Sequence, residues 1–236
     1  MKAIKGRIRH ILRLAAADLA LAAIVLGLFF ALDALGGANA ASLSAAADMA
    51  ALVPDRAVYR GDRSRVAFVC TVNWDAAALR SIIETLEARG ESITFAAAPE
   101  LAEASPGLIA ELVRAGQEVA ILAEKGITRE KLMSAAAVIE RAGGTAPGIV
   151  ICSQGGETAR RTAASLGMTA VAGSVDLVCL RGSAAEIEAR ALDFVSGGDI
   201  VICAPTAAFA AAFSRILEYY SALGLTTSTV SGTIYD

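Results

Sequence analysis

Beyond residue 65 the chain alternates short apolar runs with stretches of helical spacing at least six times, and this alternation constrains the fold more than any other feature. Residues 66–71 are apolar on both faces, as a strand covered on both sides must be. A helix is expected over 75–89, where Leu79, Ile82, Ile83 and Leu86 recur at three-and-four spacing before Gly90. Strands are then expected at 93–97, 118–123, 148–152, 168–172, 177–180 and 199–203. The intervening helices start at the Ser105-Pro106 pair, at Thr128, after Gly155-Gly156, at Ser183 and at Thr206. On the last helix Phe209, Phe213, Ile216, Leu217 and Tyr220 share one face, and the β-prone tail 226–235 is expected to add an edge strand. Such alternation specifies a mostly parallel α/β sheet, and seven or eight strands favour a barrel, complete or not, over an open doubly wound sheet. Gly155-Gly156 lacks the third glycine and the later acidic partner of a dinucleotide site.

The N-terminal part follows different rules. Lys2, Lys5, Arg7, Arg9 and Arg13 form a basic tail (1–13) ahead of an apolar segment (14–35) broken only by Asp18 and Asp33. About 20 apolar residues span a bilayer, so the segment reads as a transmembrane or signal-anchor helix with the aspartates near its interfaces. The flanking positive charge keeps that end cytoplasmic and places the rest outside the membrane. Ala38-Asn39-Ala40 also fits a signal-peptidase site, which would release a secreted form. Residues 36–64 read as a linker and 65–236 as the folded domain. The formal net charge of −3 offers no polyanion-binding surface, which excludes nucleic acid as a partner. Cys70, Cys152, Cys179 and Cys203 are too widely spaced for a disulfide scaffold or a zinc knuckle, and are expected as buried free thiols.

The wording of several segments resembles the polysaccharide deacetylase family (NodB homology, carbohydrate esterase family 4), whose fold is a distorted (β/α) barrel. Residues 65–75, with Asn73-Trp74, resemble that family's first strand and its Asp-x-x-Trp-Gly variant. Ile93-Thr-Phe-Ala-Ala97 is similar to its ATFF strand, and 106–119 to its P-x-L-V-x-x-I-x-x-x-G-H-E-I segment. The likeness runs over about 65–204.

The resemblance implies a zinc-dependent deacetylase of N-acetylated polysaccharide, yet the positions that should carry the chemistry are occupied by other residues. The family's general base falls on Thr71 and its neighbouring ligand on Val72 or Asn73. The metal-binding histidine pair falls on Leu122 and Gly126, the arginine motif on Ile151, and the general-acid histidine on Ala204. The chain's one histidine, His10, is in the basic tail, so 41–236 contains none. Zinc needs three or four N, O or S ligands around one point, and each lost proton-transfer group forfeits roughly 10²–10⁴-fold in rate. The expectation is a catalytically inactive relative without a metal or other cofactor, binding envelope glycan or a protein partner. Candidate ligand-binding residues are Asn73, Trp74, Asp75, Glu124, Ser153, Gln154 and Asp176, with Trp74 stacking on a sugar ring. Two alternatives stand beside it. One is an active hydrolase of N-acetyl amide bonds with a divergent zinc site; the other is a purely structural envelope domain.

Overall fold

The computed structural model describes residues 57–72, 76–152, 156–178 and 182–235. The basic tail, the candidate anchor and most of the linker lie outside the described residues. Among the described residues, no helix is long and apolar enough to cross a membrane.

Eight strands form one curled sheet: β1 (Arg65–Thr71), β2 (Thr94–Ala97), β3 (Glu118–Ala123), β4 (Ile149–Cys152), β5 (Thr169–Val171), β6 (Val175–Asp176), β7 (Ile200–Cys203) and β8 (Thr226–Ser228). Their order is β5-β4-β3-β2-β1-β7-β6, with β8 paired to β1, and every ladder is parallel. The helices are α1 (Ala76–Arg89), α2 (Pro99–Ala104), α3 (Pro106–Arg114), α4 (Arg129–Gly143), α5 (Glu157–Ser165), α6 (Ala184–Phe194), α7 (Ala207–Ala222) and α8 (Val230–Ile234). The result is a (β/α) half-barrel, as the alternation predicts.

The two-residue period of the strands divides their side chains between two cores. Val66, Phe68 and Cys70 of β1 face the helices, where Phe68 meets Phe213 edge-on at 5.4 Å and Tyr220 at 6.0 Å. Tyr220 is fully buried, and its hydroxyl donates to the Ala191 carbonyl at 2.9 Å. Burying each such ring contributes about 1.5–3 kcal/mol. Ala67 and Val69 face the barrel interior with Ala96, Ala120, Ile149, Ile151, Val171 and Ile200. The small residues on the central strands leave room that Val230 of α8 fills from the N-terminal end of the strands.

Several boundaries differ from those the sequence suggests. The tail forms a strand only over Thr226–Ser228, and it pairs with β1 alone. At Ala67, β1 pairs with both β7 and β8, and at Val69 with both β7 and β2, so β8 lies on the same side of β1 as β2. The chain then turns into α8, capped by the Thr229 hydroxyl, and the buried Thr94 Oγ1 accepts from Val230 N at 2.8 Å. Thr94 Oγ1 in turn donates to Glu118 Oε2. The strand expected at 177–180 forms earlier, at Val175–Asp176, because β7 pairs there. Pro99 opens an additional helix, α2, and Ser105 ends it while making no side-chain cap for α3.

Residues 57–64, assigned from sequence to the linker, are joined to the barrel. Val58 N donates to Ala170 O and Val58 O accepts from Ala172 N, both at 2.9 Å, which bonds this arm to β5. Two residues on, Arg60 bridges to Asp199 at the start of β7. The arm therefore spans part of the gap between the two open edges of the sheet, β5 and β6.

Candidate functional site

In a parallel barrel the strand C-termini share one face, and there a cavity of about 540 Å³ opens. Its lining includes Thr71 from the end of β1, Leu122 from β3, Ile151 and Cys152 from β4, Asp176 from β6 and Ile202 from β7. The arm adds Ala57 and Tyr59, and α5 adds Arg160. Thr71, Leu122 and Ile151, which the sequence places at the base, ligand and arginine positions of the resembled family, thus meet in one cavity.

The other two vacant positions are elsewhere. Gly126 borders a separate recess of about 90 Å³, shared with Leu122, Glu124 and Lys125. It has φ +84° in a turn closed by Ile127 N to Glu124 O at 3.2 Å, a backbone conformation that a histidine would adopt only under strain. Ala204 is buried just beyond β7 and does not line the cavity.

The polar groups at the mouth are partly committed to the scaffold. Thr71 Oγ1 donates to Cys203 O at 3.1 Å, tying β1 to β7. Asp176 Oδ1 accepts from Val178 N at 2.7 Å, a turn that aspartate makes readily. Glu124 and Lys125 are exposed, with Glu124 reaching the cavity and Lys125 only the recess. The Thr206 hydroxyl caps α7, accepting from Phe209 N at 3.1 Å. Burial pushes the Cys152 thiol up to about 11, with the Arg160 charge a smaller opposing influence, so it stays protonated near neutral pH. Cys70, Cys152 and Cys203 are buried free thiols. Asn73, Trp74, Asp75, Ser153, Gln154 and Cys179 lie outside the described residues.

Two cavity residues escape a motif-based reading. Tyr59 belongs to the arm and exposes about half of its surface. Arg160 sits in the first turn of α5, where the helix dipole disfavours a cation, and that placement is the one sequence signal that singles it out. Its neighbour Arg161 pairs with Glu157, but Arg160 makes no ion pair among the described residues. Its Nε is buried without a hydrogen-bond partner. Also among the described residues, no group of three or more His, Cys, Asp or Glu is gathered to hold a metal ion.

No family model matches the sequence, and no curated protein is significantly similar to it. Solved structures do resemble it. A carbohydrate esterase family 4 pseudoenzyme from Bacillus anthracis superposes with a TM-score of 0.70 at 18% identity, over 77% of this chain and 69% of that one. The chain has the fold of the carbohydrate esterase family 4 deacetylases. A variant of that pseudoenzyme with restored enzymatic activity gives 0.71 at 17% identity, over 77% and 72%. A peptidoglycan N-acetylglucosamine deacetylase gives 0.69 at 18%, over 75% and 92% of the two chains. A family 4 esterase from Streptomyces lividans in complex with acetate gives 0.60 at 20%, over 72% and 93%.

Proposed function

We propose that the chain is a degenerate, membrane-anchored member of the family 4 deacetylases, held outside the cytoplasmic membrane, that binds envelope glycan at the barrel mouth without hydrolysing it. The observation that carries this reading is the cavity floor, where Thr71, Leu122, Ile151 and Ile202 stand at the strand ends. Three of these are hydrocarbon side chains, and the hydroxyl of the fourth is engaged with Cys203 O. None offers an imidazole or carboxylate to ligate a metal or to move a proton.

The zinc of the active family members does not fit the donors present in the described cavity. Glu124 and Asp176 bring carboxylates, Cys152 is a protonated thiol, and Arg160 is a cation that opposes a second cation beside it. A structurally similar protein is itself described as a pseudoenzyme, which is consistent with the fold persisting without its chemistry. The anchor rests on the apolar segment 14–35 and its basic flank.

Retention of the purified protein on peptidoglycan and on chitin oligomers tests the binding reading. The account expects retention by the unmodified protein and its loss in Ala172→Phe, which fills the cavity from its wall. Equal retention of the two proteins, or retention of neither, overturns the proposal.

A further inference from the structure

Building on the glycan-binding reading, we infer that the barrel mouth selects a carboxylate-bearing sugar, with Arg160 gripping the carboxylate and Tyr59 stacking on the ring. Arg160 lines the cavity and makes no ion pair among the described residues, so its guanidinium is not already committed to a carboxylate of the chain. Glu124 and Asp176 line the same cavity, yet neither is within ion-pair distance of the guanidinium. The fork of a guanidinium matches a planar carboxylate bidentately.

The rest of the lining narrows the ligand class. Tyr59, half exposed on the arm, offers an aromatic face, and Leu122 and Ile151 offer apolar surface to the C–H face of a pyranose. Glu124 and the second oxygen of Asp176 are placed to accept hydrogen bonds from sugar hydroxyls. A single carboxylate on a hydroxyl-rich ring satisfies all of these groups together. A cavity of about 540 Å³ lies within the range of small-molecule sites. Neither residue occupies a position at which the resembled family does its chemistry, although both line the cavity that holds three of them.

Calorimetric titration of the purified full chain tests this with three probes: an N-acetylglucosamine oligomer, a muramic-acid-containing peptidoglycan fragment and a uronate oligosaccharide. The first is neutral, and the other two carry the same charge on a lactyl ether and on the ring. We expect at least one acidic probe to bind about tenfold or more tightly than the neutral one, in line with a charge-assisted bidentate contact. Which acidic probe wins identifies the carboxylate source. Arg160→Gln is expected to lower the affinity for the acidic probe by about tenfold or more, to that of the neutral probe. Tyr59→Ala is expected to weaken all three, with Tyr59→Phe restoring them. Equal affinity for acidic and neutral probes, or a preference that survives Arg160→Gln, overturns the inference alone. Binding of none of the three overturns it together with the glycan-binding proposal.

Discussion

Removing the carboxylate of Asp199 should open the junction between the arm and the sheet. Asp199 is fully buried at the start of β7, and four donors converge on it. Arg60 Nη2 at 2.9 Å and Ser174 Oγ at 2.8 Å reach Oδ1, while Ser196 N and Ser196 Oγ, both at 2.8 Å, reach Oδ2. Asp199→Ala strands at least the Ser196 amide and loosens the arm. An orphaned buried donor costs about 1–3 kcal/mol. The Arg60 side chain is 63% exposed, so the salt bridge itself is largely screened. We therefore expect Asp199→Ala to cost roughly 2–4 kcal/mol, from the buried donors it strands, and Arg60→Ala less than about 1 kcal/mol. In urea the first corresponds to a midpoint lower by roughly 1–2 M for a domain of this size. Circular dichroism under urea gives the midpoint, and trypsin cleavage after Arg60 and Arg63 should accelerate in Asp199→Ala. If the two variants cost the same, the ion pair rather than the hydrogen-bond cage holds the arm. A loss below 1 kcal/mol for Asp199→Ala would refute the reasoning altogether.

Three further outcomes follow from the same geometry. Thr94→Val keeps the shape of a buried side chain but leaves Val230 N without its acceptor, and should lower stability by about 1–3 kcal/mol in denaturant titration. Thr206→Ala removes the N-cap of α7 and should cost about 1 kcal/mol, with Thr206→Ser restoring most of it. Cys152 should resist alkylation at pH 8, read by mass spectrometry of its peptide. A thiol at about 11 rather than 9.0 holds roughly a hundredth of the thiolate. Because burial raises this thiol, its ionisation leaves stability untouched below pH 9 and erodes it as the pH climbs toward about 11.

Much of the barrel was legible because inner parallel strands are apolar on both faces, and runs such as Ile149–Cys152 admit few other readings. The arm was not, because Val58 joins β5 through its backbone, and backbone hydrogen bonds leave no pattern in side-chain type. The tail was legible in part: Thr226–Ser228 forms the expected strand. Its threonines and valine favour a strand, but the Thr229 cap and the space above Ala67 and Ala96 turn 230–234 into a helix. At the mouth, the family resemblance placed Thr71, Leu122, Ile151, Gly126 and Ala204, of which the first three line the cavity and the last two do not. Tyr59 and Arg160 reach the same cavity from an arm and a helix, so only the assembled fold brings them together.

We propose that this deacetylase fold has exchanged hydrolysis for binding. The most direct test incubates the purified protein with zinc, then measures bound metal and acetate released from N-acetylglucosamine oligomers. We expect metal well below one equivalent and no acetate above the buffer rate. One equivalent of zinc with acetate release, both lost in Asp176→Ala, would contradict it.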